Sequence, residues 1–137
     1  MRIIEKNIIQ VLEELKDANY MTWDNFTLSV RDSIYKDREK IQYKLWNNII
    51  FEYNRKENVY YFTGRGCCSL TTKNRLNAIL NAFFEASITQ KNYKWVLNWN
   101  QKEYLIDATN IFYFKGDKLY QKASHDVEVL PIENKIF

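Results

Sequence analysis

Residues 63–84 read TGRGCCSLTTKNRLNAILNAFF, and this stretch decides how the rest of the chain is read. Leu76, Ile79, Leu80 and Phe83 recur at i, i+3, i+4 and i+7, the spacing of one apolar helix face. Asn74, Arg75, Asn77 and Asn81 lie away from that stripe. Ser69, Thr71 or Thr72 can cap the helix by accepting bonds from backbone N–H groups that have no partner within it. The spacing predicts a helix over 72–84 with one buried face. Gly64 and Gly66 precede it and allow close backbone approach to a neighbour.

On both sides the pattern changes to strands. Upstream, Ile41–Trp46 and Ile49–Tyr53 alternate around an Asn47-Asn48 turn, with Ile49, Phe51 and Tyr53 expected on one face. Val59–Phe62 follows a polar turn. Asn25–Arg31 alternates with Phe26, Leu28 and Val30 on one side. The mixed-sign run Lys36–Lys40 reads as a solvated loop. Before these strands, Ile4, Ile8, Val11, Leu12 and Leu15 form a wide apolar helical stripe.

Downstream, Ser87–Gln90 is followed by the alternation of Tyr93, Trp95, Leu97 and Trp99. Further strands are expected at Tyr104–Ile106, Asn110–Phe114 and Lys118–Gln121. In the tail, Pro131 ends any regular element, although Val127, Val129 and Leu130 suit an edge strand. The expected fold is a single α+β domain over 1–137. It has a helix at 1–18, strands over 25–62, a central helix at 72–84, strands over 87–122 and an irregular tail at 123–137. Its antiparallel sheet is expected in two β-meander blocks flanking the central helix.

Composition supports that fold and removes several functions. Of 137 residues, 46% are hydrophobic and 16% aromatic, enough for a core without disulfides or metals and a bias toward pleated surfaces. Net charge is only +3, from 20 basic and 17 acidic residues. That makes the chain a poor mimic of DNA and a weak candidate for binding nucleic acid by charge alone. Cys67 and Cys68 are adjacent, so they read as free thiols in a reduced compartment. Residues 1–17 carry charges throughout and offer no membrane span. The expected location is therefore the cytoplasm, without membrane partners. The heavy use of Asn, Lys, Ile and Tyr suits an AT-rich coding sequence.

The strands of Tyr43–Phe62 lead into Gly66, Ser69, Thr71, Thr72, Lys73, Arg75, Leu76 and Asn77. These residues form a G-x2-S-x-T-T-K-x-R-L-N helix start. Thr89-Gln90-Lys91, Tyr93 and Trp95-Val96-Leu97 then supply a closing block. Over residues 41–97 this pattern resembles small uncharacterised proteins of tailed phages and prophages. The Cys67-Cys68 pair departs from the bulkier residues expected there. The resemblance implies a phage or mobile-element origin and action inside a bacterial host cell. It carries no activity.

No arrangement of residues rises to a catalytic signature. Ser124-His125-Asp126 is contiguous, whereas triads assemble through tertiary structure. One histidine and two cysteines fall short of a metal site, and no cofactor is expected. Glu52, Glu57, Glu103 and Asp107 alternate with aromatics but are not paired by sequence. Two leads remain. Arg65, Lys73 and Arg75 surround a helix N-terminus with no acid between them, and Thr71 and Thr72 add donors, a setting that attracts anions. The G-K-[ST] ending of a phosphate loop is missing. The second lead is the aromatic surplus, Trp46 among it, because tryptophan and tyrosine anchor interfaces. The expected function is a non-enzymatic phage protein that binds and inhibits a host target. A defence complex, in the manner of an anti-CRISPR protein, is the foremost class. The partner is then a host protein or protein–nucleic-acid complex. The alternative is a nucleotide or nucleic-acid binder using residues 64–75, as a signal sponge or regulator. The wide N-terminal stripe leaves a homodimer open.

Overall fold

A computed structural model describes residues 1–17, 22–64, 69–92 and 94–133. Helix α1, Ile3–Asp17, buries Ile8, Leu12 and Leu15 and half-buries Ile4 and Val11, as its stripe requires. At its start, Glu5 reaches back to accept the Arg2 backbone N–H at 3.0 Å, satisfying a donor that lacks a helical partner.

A meander follows through β1 (Asp24–Thr27), β2 (Asp32–Lys36), β3 (Lys40–Leu45), β4 (Asn48–Asn54) and β5 (Val59–Phe62). Helix α2 spans Leu70–Phe84, two residues longer at its start than its stripe predicts. Three strands, β6 (Ser87–Lys91), β7 (Lys94–Trp99) and β8 (Lys102–Ile106), form a small antiparallel sheet. The chain then returns through β9 (Phe112–Lys115), β10 (Lys118–Gln121) and the short edge strand β11 (Val127–Val129). Because β9 pairs with β5, these last strands extend the first meander into one eight-stranded sheet, β1-β2-β3-β4-β5-β9-β10-β11. The fold is α+β with an N-terminal and a central helix, as expected. The small sheet is the part set apart, inserted between two adjacent strands of the large one.

Four local readings are adjusted. The loop expected over Lys36–Lys40 narrows to residues 37–39, since β2 ends at Lys36 and β3 begins at Lys40. The strand expected over Asn25–Arg31 stops at Thr27, and residues 28–31 turn the chain into β2. The β3–β4 turn is Trp46-Asn47, with φ of 51° and 65°. The β3–β4 register shifts between Tyr43 and Lys44 of β3, leaving Ile50 of β4 as an extra, bulged residue. Ile49 therefore points outward while Ile50 and Phe51 are both buried.

One face of the large sheet carries the core. Ile34, Ile41, Tyr43, Phe51, Phe62, Phe112 and Leu119 point inward, beneath the helices and the small sheet. Phe114 is the meeting point. Its ring centroid lies 4.4 Å from Phe84 of α2, 4.5 Å from Trp99 of β7 and 5.4 Å from Phe62 of β5. On the opposite face a row of outward side chains runs Tyr35, Gln42, Glu52, Tyr61, Tyr113, Tyr120 and Glu128 across seven strands. Among the described residues, no helix is long and apolar enough to cross a membrane.

Candidate functional site

The sheet end that carries Trp46 is built from two linked turns. Leu28 and Ser29 each donate a backbone N–H to Asp32 O, closing the turn before β2. The Ser29 hydroxyl donates to Asp32 Oδ2 at 2.6 Å and accepts the Arg31 and Asp32 N–H groups. The Trp46 N–H donates to Arg31 O at 2.8 Å, joining the β3–β4 hairpin to this turn. The linkage presents Val30 (91% exposed), Trp46 (56%) and Ile49 (42%) at one end of the sheet. Val30 and Trp46 share a shallow cleft of about 200 Å³ with the polar side chains of Asn25, Thr27 and Asn47.

The other residues singled out in the sequence fare differently. Arg65, Gly66, Cys67 and Cys68 lie outside the described residues. Ser69 is the helix cap, accepting the Thr72 N–H at 3.2 Å. Thr72 is fully buried, with its hydroxyl 3.2 Å from that of Ser69, while Thr71 and Lys73 are half-buried in the first turn of α2. Gly64 does need to lack a side chain, but its near neighbour is protein: a Cβ there would lie 2.7 Å from the Trp95 ring.

Arg75 is the main correction. Expected to attract an anion at the helix start, it is fully buried in an ion pair with Asp32, Nε to Oδ1 at 2.8 Å, with Glu5 Oε2 3.4 Å from its Nη1. Asp32 also accepts the Tyr43 hydroxyl and that of Ser29. Burial alone would raise the Asp32 pKa, but the hydrogen bonds from Arg75, Ser29 and Tyr43 outweigh it and hold the carboxyl below its ordinary value. Burial, then the bond to Asp32, pushes the Tyr43 phenol far up. Desolvation works against the Arg75 charge, yet Asp32, Tyr43 and Glu5 keep it raised above its ordinary value. This network ties α1, α2, β2 and β3 together. Its charge does not reach the surface, so it gives no hold on an external anion. A signal for it existed: Thr72, Arg75 and Ile79 follow at i, i+3 and i+7, one helical face.

Among the described residues, no group of three or more His, Cys, Asp and Glu side chains converges to hold a metal ion. On the outer face the tyrosines are tethered: Tyr61 donates to Glu57 Oε2 at 2.7 Å and Tyr113 to Asp126 Oδ2 at 2.6 Å. Asp126 is thus held by a phenol and by the Ala123 N–H, so the contiguous Ser124-His125-Asp126 has its carboxylate engaged elsewhere.

No curated protein and no solved structure matches the chain. A protein-family match runs from the first residue through both helices into β10, well beyond the 41–97 stretch that carried the phage resemblance. The chain matches the family described as Kyanoviridae Gp96 protein over residues 1–120, and so belongs to that family of cyanophage proteins of unknown function.

Proposed function

We propose that this phage protein acts by binding: it docks through the Trp46 end of its sheet onto a host protein in the host cytoplasm and inhibits it. A host-defence complex is the foremost class of target. The observation that carries this reading is the placement of Trp46. A bulky side chain in the left-handed region costs about 1–2 kcal/mol, and two-residue hairpin turns favour Asn and Gly for that reason. Here tryptophan occupies such a position with more than half of its surface in water. Folding gains little from that choice, whereas a protruding indole beside Val30 and Ile49 has the make-up of an interface anchor.

The test is capture from host cells expressing the tagged protein, with Trp46→Asn as the paired variant. A stoichiometric host protein should come down with the natural chain and be lost with the variant, whose circular dichroism stays unchanged. Equal capture by both forms, or none by either, would overturn the reading. Nucleotide or nucleic-acid binding at residues 64–75 is the competing reading, now without Arg75. It requires phosphate ligands to raise the melting temperature and Arg65→Ala with Lys73→Ala to abolish the rise.

A further inference from the structure

A second site lies far from Trp46 along the chain, in the crevice where the small sheet faces the large one. Gln90, Trp95 and Ile106 form a cross-strand row on the small sheet, since Gln90 is opposite Trp95 and Trp95 opposite Ile106. Phe112 and Gln121 form the matching pair on the large sheet. All five line one crevice of about 560 Å³, within the roughly 300–1,000 Å³ typical of small-molecule sites. Its floor is apolar, from Trp95, Ile106 and Phe112. Its two sides each contribute a carboxamide, and no described residue engages either amide.

The rim supplies two more groups. Asp107 also lines the crevice; its Oδ1 accepts the N–H and hydroxyl of Thr109 at 2.9 and 2.7 Å, and no described residue hydrogen-bonds its other oxygen. These bonds hold the carboxyl below its ordinary pKa, and it is charged at neutral pH. The turn that carries it is fixed from the other side by Gly64 N–H to Ala108 O at 2.8 Å and Thr63 Oγ1 to Asn110 O at 2.7 Å. A rim already rigid loses little freedom on binding. Lys94 is exposed at the same rim and forms no ion pair with a described residue.

The geometry points to a nucleoside monophosphate as the ligand of this crevice. Two carboxamides, one from each sheet, match the donor–acceptor edge of a nucleobase, whose planar face suits the apolar floor. The second oxygen of Asp107 suits ribose hydroxyls, a role carboxylates play in other nucleotide sites. Lys94 suits one phosphate. With one cation against one carboxylate, the crevice has no field for a polyphosphate or a nucleic-acid strand, which need several cations.

Isothermal titration of the full chain with AMP, GMP, CMP and UMP, and with the matching nucleosides, tests this. At least one monophosphate should bind saturably. Lys94→Gln should weaken it about tenfold while leaving the nucleoside unchanged. Gln121→Leu, or Gln90→Ala should the first fail to fold, should narrow the differences between bases. Trp46→Asn should bind like the natural chain, which separates this site from the docking surface. Absence of saturable binding by all four monophosphates, or variants at Lys94 and both glutamines that bind unchanged, would sink the proposal.

Discussion

Arg75 Nε lies 2.8 Å from Asp32 Oδ1, joining the second turn of α2 to the first residue of β2 inside the protein. A buried ion pair is weak evidence of stability in itself, because both charges were taken out of water. Removing one partner is another matter, since it strands the other charge. Arg75→Met should therefore destabilise the fold by about 3–5 kcal/mol, read as a lowered urea midpoint. Replacing Asp32 with Leu in the same chain should recover much of that loss. A variant at Arg75 that kept full stability would contradict the buried assignment.

Trp46→Asn should move stability the other way. Asn tolerates φ near 51° far better than Trp, so the melting temperature should rise, with a gain of about 0.5–1 kcal/mol. A fall in melting temperature would mean that the indole packs for the fold's benefit and would weaken the case for an interface.

Acid should act through Asp32. Its folded pKa is depressed, so its contribution is complete above the ordinary carboxylate value of 3.8 and is lost as pH falls through the folded value. Urea midpoints should drop in strongly acidic buffer, and less so in Asp32→Asn, which has already lost that contribution. Base should act through Tyr113, pushed up to about 12 by burial and by its bond to Asp126. The neutral phenol is the form the fold favours, so that contribution is complete below 10.0 and disappears as pH rises through about 12. Phenolate absorbance should show a late-titrating tyrosine that shifts earlier in Asp126→Asn.

Gly64→Ala should be costly despite its conservative look. The new methyl would meet the Trp95 ring at 2.7 Å and Ala108 O at 3.0 Å, and the tight turn on the far side leaves little room to yield. Overpacking of this kind costs about 1–3 kcal/mol, and a shifted tryptophan emission should report it.

Much of the architecture is legible in the sequence because it rests on periodicity. The stripes of α1 and α2 and the alternation of Trp95, Leu97 and Trp99 state their elements directly. Strand β2 is hidden because two of its three inward side chains, Asp32 and Lys36, are charged and find partners only in three dimensions, Lys36 at Thr22 O. The facing of β4 is hidden because the bulge at Ile50 breaks a period of two. The same blindness affected the site. Trp46 could be named from residue type alone, but Arg75 was misplaced because neither Glu5 nor Asp32 is near it in sequence. The amides of Gln90 and Gln121 come from two sheets, so no local pattern announces them.

The pairing of Phe62 with Phe112 has a consequence for how the chain is made. As it leaves the ribosome, the first five strands are complete long before β9 exists, so β5 waits as an open border. α2 and the small sheet are synthesised in between, so the border closes only by spanning them. Closing that span costs chain entropy, and non-local pairing of this kind forms slowly. The segment that waits is Tyr60-Tyr61-Phe62, aromatic and prone to pair with a wrong strand. While it stands open, that seam is the place where nascent chains would stick to one another.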